Sequence, residues 1–377
     1  MKLNLILGFT CLIVLFSNTL QAQDSVYYYD NSYRAANPEA AIIISIARKE
    51  DSGWLRMDYY SNNKKVHQVG HFKDHTFEIK EGEFKTFFAN EQLNSIGTYK
   101  NNEKNSFFEI YYPNGMMSDS CSYKNGIPTG ICYAWYPDGA VKSILQMDTL
   151  GNGSGIAAGY FPNGNISYKG KIARGMRKIG AWTYYHENGN KASILKFPTL
   201  DETTLSQAPE LKYDTLEGCR YDSLVEYSSA ICFDENGVEQ AGSEIKNNLP
   251  SYKNGIPGWI SYVSNKMKGL GDTYLAQNGG KTIVYESYFT IDPNGKVNNV
   301  LLTNKIDPVL DDRIKNILSN SNIWKPAMHN NRKIPFTHKQ AFVMTRSDIY
   351  DAAPPKITTT IEKKVGRGNN PLHKNID

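Results

Sequence analysis

The chain has little excess charge of either sign: 42 basic residues against 38 acidic ones leave +4 over 377 residues. No dense basic stripe stands out, which argues against nucleic acid as a main partner. After residue 22 there is no apolar run of membrane length, so no integral span is expected in the mature chain. The 16 prolines never gather into a long run, so a stiff proline-rich spacer is missing. The five cysteines include no Cys-x-x-Cys pair, the spacing that structural metal sites favour. No Ser/His/Asp arrangement presents itself. The expectation is a protein with no catalytic residues, no metal and no cofactor.

Aromatic residues are plentiful, with 25 tyrosines and an aromatic share of 12%, and they recur in short strings. These are Tyr112-Pro113-Asn114-Gly115, Tyr136-Pro137-Asp138-Gly139, Phe161-Pro162-Asn163-Gly164 and His186-Glu187-Asn188-Gly189. Their glycines follow one another at a near-constant step, and a fixed period of about 24 residues marks a repeat architecture. One unit shows the grammar. Ile131–Trp135 is rich in β-favouring residues, Pro137-Asp138-Gly139 is a turn, and Ala140–Leu145 reads as a second strand. The unit is a β-hairpin, and a second turn such as Lys124–Gly130 links it to the next. Gly82–Glu91 keeps the same phase. Gly237 lies twice the repeat step beyond Gly189 and reads as two further periods. The string Ser122–Pro128 recurs letter for letter at Ser251–Pro257, outside the frame, and reads as the same turn chemistry reused. The expected fold is mainly β with a small α+β domain. In it, hairpins extend one antiparallel ribbon of order 60 Å for six or seven repeats.

These residues resemble the MORN-type repeat in its bacterial antitoxin-repeat variant, best at Gly180–Gly189 and less closely at Gly130–Gly139. The copy at Gly153–Gly164 departs from it in lacking Trp. The resemblance covers residues 55–240, after a lead-in at 23–54, and implies a scaffold or interaction role.

Residues 1–22 read as a signal peptide, with Lys2, an apolar run Leu5–Phe16 and cleavage after Ala22. An uncleaved anchor is the rival reading. Cys11 would leave with the signal. Cys121, Cys132, Cys219 and Cys232 then form an even set, which in an exported protein permits the disulfides Cys121–Cys132 and Cys219–Cys232. Four buried thiols are the alternative.

Beyond residue 240 the period stops. Gly258–Lys268 has the apolar spacing of an amphipathic helix. Lys281–Ile291 and Lys296–Thr303 read as strands around the turn Asp292-Pro293-Asn294-Gly295, where Asp292 and Asn294 are turn formers. Asp307-Pro308 begins a second helix with Leu310, Ile314 and Ile317 on one face. Trp324-Lys325-Pro326-Ala327 and a last strand, Lys339–Met344, follow. Residues 255–346 resemble the C-terminal domain of TonB-type energy transducers, above all in Phe289–Val297 and the Trp324–Ala327 string. Asn330-Asn331-Arg332-Lys333 departs from the pattern where a Gly is usual. The resemblance implies an α/β sandwich whose last strand lies on an edge. Gln340, Ala341, Phe342, Val343 and Met344 would there pair with a partner's extended segment. Trp324 is expected as a core anchor. Residues 347–377 read as a disordered tail.

Two temptations are set aside. His67, His71 and His75 lie four apart, but on a strand the outer two stand roughly 27 Å apart, too far for one ion. Gly151–Gly155 has no strand-then-helix context and reads as a long hairpin turn. The expected function is an exported, non-enzymatic interaction protein of the periplasm or outer envelope, with envelope proteins, peptides or outer-membrane receptors as partners. The alternative is a true energy transducer anchored by Leu5–Phe16.

Overall fold

The structure is a computed structural model that describes residues 24–30, 33–61, 63–173, 177–199, 227–268, 270, 275, 283–321, 324–345 and 356–361. Fifteen strands follow one another, each hydrogen-bonded to the next in sequence. They are β1 (Asp24–Tyr29), β2 (Ile43–Glu50), β3 (Gly53–Tyr60), β4 (Val66–Phe72), β5 (Lys80–Phe87), β6 (Leu93–Lys100), β7 (Glu103–Tyr111) and β8 (Met117–Lys124). Then come β9 (Ile127–Trp135), β10 (Val141–Met147), β11 (Gly155–Tyr160), β12 (Ile166–Ala173), β13 (Arg177–Tyr185), β14 (Lys191–Phe197) and β15 (Ser229–Cys232). Fourteen spacings of about 4.8 Å make a ribbon about 67 Å wide. The stretch 23–54, expected as a lead-in, supplies β1 and β2 of this same sheet.

The recurring turn string has two jobs. Within a turn, the Gly115 N–H donates to Tyr112 O and the Tyr112 N–H to Met116 O, with Gly115 at φ +83°. This is a tight turn closed by a glycine bulge, and Gly139, Gly164 and Gly189 repeat it. Between turns, the Asn side chain reaches the next repeat. Asn90 Nδ2 donates to Pro113 O (3.0 Å), Asn114 to Pro137 O (3.0 Å) and Asn188 to Glu235 O (2.7 Å). Tyr112 and Tyr136 likewise donate their hydroxyls to Trp135 O and Tyr160 O, both at 2.8 Å. The motif therefore fastens each repeat to its successor, as stacked units require.

The sheet's core is one row of side chains that crosses β2 to β14. It runs Ala47, Arg56, Gly70, Phe84, Gly97, Phe108, Cys121, then Cys132, Leu145, Ala157, Gly170, Trp182 and Leu195. At three places in the row a ring lies flat on a neighbouring glycine: Phe84 on Gly70, Phe108 on Gly97 and Trp182 on Gly170. A Cβ at Gly97 would fall inside the Phe108 ring, and one at Gly170 inside the Trp182 ring. Cys121 stands one period after Gly97, and Cys132 one period after Phe108. The disulfide Cys121–Cys132 thus replaces one glycine–aromatic pair. Phe84 and Phe108 of the row meet Phe72, Tyr99 and Tyr123 beside it edge to face, at 5.0–6.1 Å. Lys80, Lys104 and Lys178 lay their ammonium groups over these and later rings. At the first repeats the row is polar. Asp58, fully buried, takes Arg56 in a two-bond ion pair and accepts from Ser45 and Tyr33.

One reading of the period is corrected. β15 pairs directly with β14, so the stretch from Gly189 to Gly237 is one repeat plus an insertion between those strands, not two repeats.

The C-terminal unit contains β16 (Ser251–Tyr252), α1 (Gly255–Met267), β17 (Ile283–Ile291), β18 (Val297–Leu302), α2 (Pro308–Ser319), β19 (Trp324–Lys325), β20 (Ala327–His329), β21 (Arg332–Ile334), β22 (Phe336–Thr345) and β23 (Lys356–Ile361). Both helices arise where the apolar spacing places them, and Asp307 caps α2 by accepting from the Val309 and Leu310 N–H groups. α1 buries Trp259, Val263 and Met267, and α2 buries Leu310, Ile314 and Leu318. They pack with Phe289, Trp324 and Phe342 in one core against the sheet β18-β17-β22-β23. Trp324 is the core anchor expected of it, 4.9 Å from Trp259 between ring centroids. Asp292 accepts from the Asn294 and Lys296 N–H groups, so it forms the turn as expected.

Candidate functional site

Alternation along a strand gives the ribbon two different faces. One face carries the core row. The other carries Phe107, Ile131 and Ile156, each just before a row position and one period from the next. All three are about half exposed, and Tyr133, stacked on Trp135 at 5.5 Å, joins them. In the adjacent repeats the same position is Glu83 and Ala181, so the apolar series is confined to the ribbon's middle. In the sequence this series is the repeat frame shifted by one residue, a signal the turn strings alone do not reveal.

The core-row face is used inside the molecule. The C-terminal unit presses the β20–β21 hairpin onto β12–β14. Arg332, 1% exposed, donates to Ser167 Oγ at 3.1 and 3.3 Å and to His329 O at 2.9 Å. Its guanidinium lies 4.9 Å from the Tyr184 ring centre and 5.7 Å from that of Tyr168. Ser193 donates to Asn330 O, and Lys333 pairs with Glu235 at 2.9 Å. Burial, with the Arg332 charge beside it, holds His329 well below the usual histidine range, so the ring is neutral. A second touch joins the Asn90 N–H to Thr303 O at 2.8 Å. Asn330, Arg332 and Lys333 therefore supply the side of this docking contact that the C-terminal unit brings to β12–β14 and the turn at Glu235. No local signal announces this, since Arg332 and Ser167 are 165 residues apart.

Of the five residues expected on a free edge, Gln340 and Phe342 turn their side chains inward. Gln340 is fully buried and accepts from Trp259 Nε1 at 2.9 Å; Phe342 lies in the core. Ala341 is partly buried, and Val343 and Met344 are placed by backbone alone. The edge itself is a correction. β22 lies between β17 on one side and β23 on the other. Lys356–Ile361, read from sequence as part of a disordered tail, is the strand that covers it.

Cys121 and Cys132 are joined as one of the two expected pairs. Cys232 is buried and free, and Cys219 lies outside the described residues. The three histidines part ways: His67 packs on Tyr60 at 4.8 Å, His71 faces Glu50 at 3.4 Å, and His75 lies against Trp54. Among the described residues no cluster of three or more His, Cys, Asp or Glu could hold a metal ion. In the Gly151–Gly155 turn the Asp148 carboxylate accepts the N–H groups of Leu150, Gly151, Asn152 and Ser154. That anion-binding nest is filled by the chain itself, and these bonds lower the Asp148 pKa against a desolvation that raises it.

Among the described residues no helix is long and apolar enough to cross a membrane. No curated protein matches the chain. The family model described as a MORN repeat variant matches at residues 80–101 and 178–197, each match opening on one of the lysines that cap an aromatic ring. The two matched stretches are the hairpins β5–β6 and β13–β14, so the ribbon is similar to the MORN repeat variant at those two places.

Proposed function

We propose that this is an exported scaffold protein of the cell envelope, in which the ribbon presents a pleated surface and the C-terminal unit, similar to a TonB C-terminal domain, is a peptide-binding head. The observation that carries this reading is the division of labour between the ribbon's faces. One is filled by the core row and the docked hairpin, and the other keeps Phe107, Ile131 and Ile156 in solvent. Regularly spaced apolar residues on a rigid sheet suit the central contacts of a protein partner, with polar neighbours such as Gln146 and Lys171 around them. The Cys121–Cys132 bond and the Leu5–Phe16 segment support an oxidising compartment outside the cytoplasm. The transducer alternative gains no support from a head whose Arg332 is locked into the ribbon.

Two measurements test this reading. N-terminal sequencing of the protein from fractionated cells should give a chain that starts at Gln23 in the soluble envelope fraction; a chain that keeps Leu5–Phe16 in the inner membrane overturns it. The triple variant Phe107→Ser, Ile131→Ser, Ile156→Ser should melt like the parent yet lose its co-purifying envelope proteins. The same proteins at the same yield would refute the ribbon's role.

A further inference from the structure

β23 pairs with β22 in six steps, from Gln340 opposite Ile361 to Thr345 opposite Lys356. Those steps span the five residues Gln340–Met344 whose edge the head would use. Five of the six residues in Lys356–Ile361 are β-branched, a composition that suits a strand. Pro354 and Pro355 just before it have no N–H to give, which sets the start of the pairing at Lys356. On the other strand, Gln340 and Phe342 spend their side chains on the core. What β22 offers outward is backbone, and backbone pairing accepts many sequences. We propose that β23 is a resident occupant of this edge, an internal competitor that keeps extended peptides of other proteins from adding a strand there.

The proposal rests on the reading of the C-terminal unit as a peptide-binding head. The tether is short: residues 346–355 separate the two strands, which gives β23 an effective concentration of order mM. A peptide with equal pairing strength at micromolar concentration therefore loses, and one that wins must bind better or arrive when β23 is unseated.

Three forms of the full chain test this: the parent, an unseated form carrying Thr358→Pro and Thr359→Pro, and a locked form carrying Ala341→Cys and Thr360→Cys, which are paired residues. The probe is a fluorescent synthetic peptide with the sequence of residues 354–363. The locked form should cross-link on mild oxidation. The unseated form should bind the probe at least tenfold more tightly than the parent, and the locked form not at all. Failure to cross-link, or equally tight capture of the probe by all three forms, overturns the occupancy of the edge and leaves the head reading standing. A cross-linked locked form together with an unseated form that ignores the probe overturns both.

Discussion

The seven residues Ser-Tyr-Lys-Asn-Gly-Ile-Pro occur at Ser122–Pro128 in the ribbon and at Ser251–Pro257 in the C-terminal unit, and they end in different structures. Their first halves agree. Tyr123 and Tyr252 are both buried, and both leave the strand through a left-handed Asn-Gly pair. The φ values are +49° and +78° at Asn125 and Gly126, and +62° and +65° at Asn254 and Gly255. Their second halves part. Ile127 and Pro128 begin β9, whereas Ile256 and Pro257 lie in the first turn of α1. The residue after each copy decides much of this. Thr129 is β-branched and suits a strand. Gly258 sits so close to the Lys253 carbonyl that any side chain there would collide with it. Further along, the ribbon copy meets the apolar alternation of a strand and the other meets Trp259, Val263 and Met267 on one helical face.

The most severe way to break this contrast is Gly258→Thr, which extends the identity of the two copies by one position. We expect a loss on the order of 3 kcal/mol, because the new Cβ displaces backbone at the helix entry. Denaturant unfolding measures it, and a loss under about 1 kcal/mol would show that α1 starts without that close approach. Next comes the staple on the ribbon copy alone. Cys121 and Cys132 bracket Ser122–Pro128 at a separation of 11 residues. Reduction, or Cys121→Ala with Cys132→Ala, should lower stability by about 2–3 kcal/mol through loop-closure entropy. A melting point indifferent to reductant would exclude the bond as a stabiliser.

The two parts should also answer pH with opposite sign. Desolvation raises the Asp119 carboxyl, just before the ribbon copy, to about 6, against roughly 4 in an unfolded chain. Its ionised form opposes folding above pH 6, and the penalty fades as pH falls toward 4. Asp119→Asn should therefore raise Tm at pH 8 and leave it unchanged at pH 4. Burial lowers His338 in β22 to about 4, against roughly 6.5 unfolded. That stability is complete above pH 6.5 and is lost as pH falls toward 4, so His338→Gln should flatten the acid limb of the Tm profile. Parallel profiles for parent and variants would refute both. The smallest effect tests what the copies share. A Cβ at Gly126 or Gly255 meets nothing closer than 3.9 Å, so Gly126→Ala and Gly255→Ala test backbone conformation alone. Each should cost about 1 kcal/mol. Unequal losses would mean that the two turns are not the same device.

Much of the fold was legible because it is written in local chemistry. The Asn-Gly and Pro-Asn-Gly turns, the repeat frame, the cap at Asp307 and the helical face of Leu310 and Ile314 need only neighbours along the chain. The pair Cys121–Cys132 could be anticipated from its place around one turn. The insertion before β15 was misread because a doubled spacing fits two repeats as well as one repeat with extra chain. The docking residues Arg332, Asn330 and Ser167 were missed because their meaning lies in contacts between distant parts of the sequence.

The amino-acid sequence alone determined where this chain turns, how often it repeats and which side chains of each strand share a face. Those properties follow from φ preferences and from the period of two. Tertiary structure decided the rest: whether identical residues continue as strand or helix, which face of the ribbon remains in water, and whether β22 lies at an edge. Each of these turns on what packs against the segment from elsewhere in the chain, and burial of a side chain or pairing of a backbone is a property of the assembled fold.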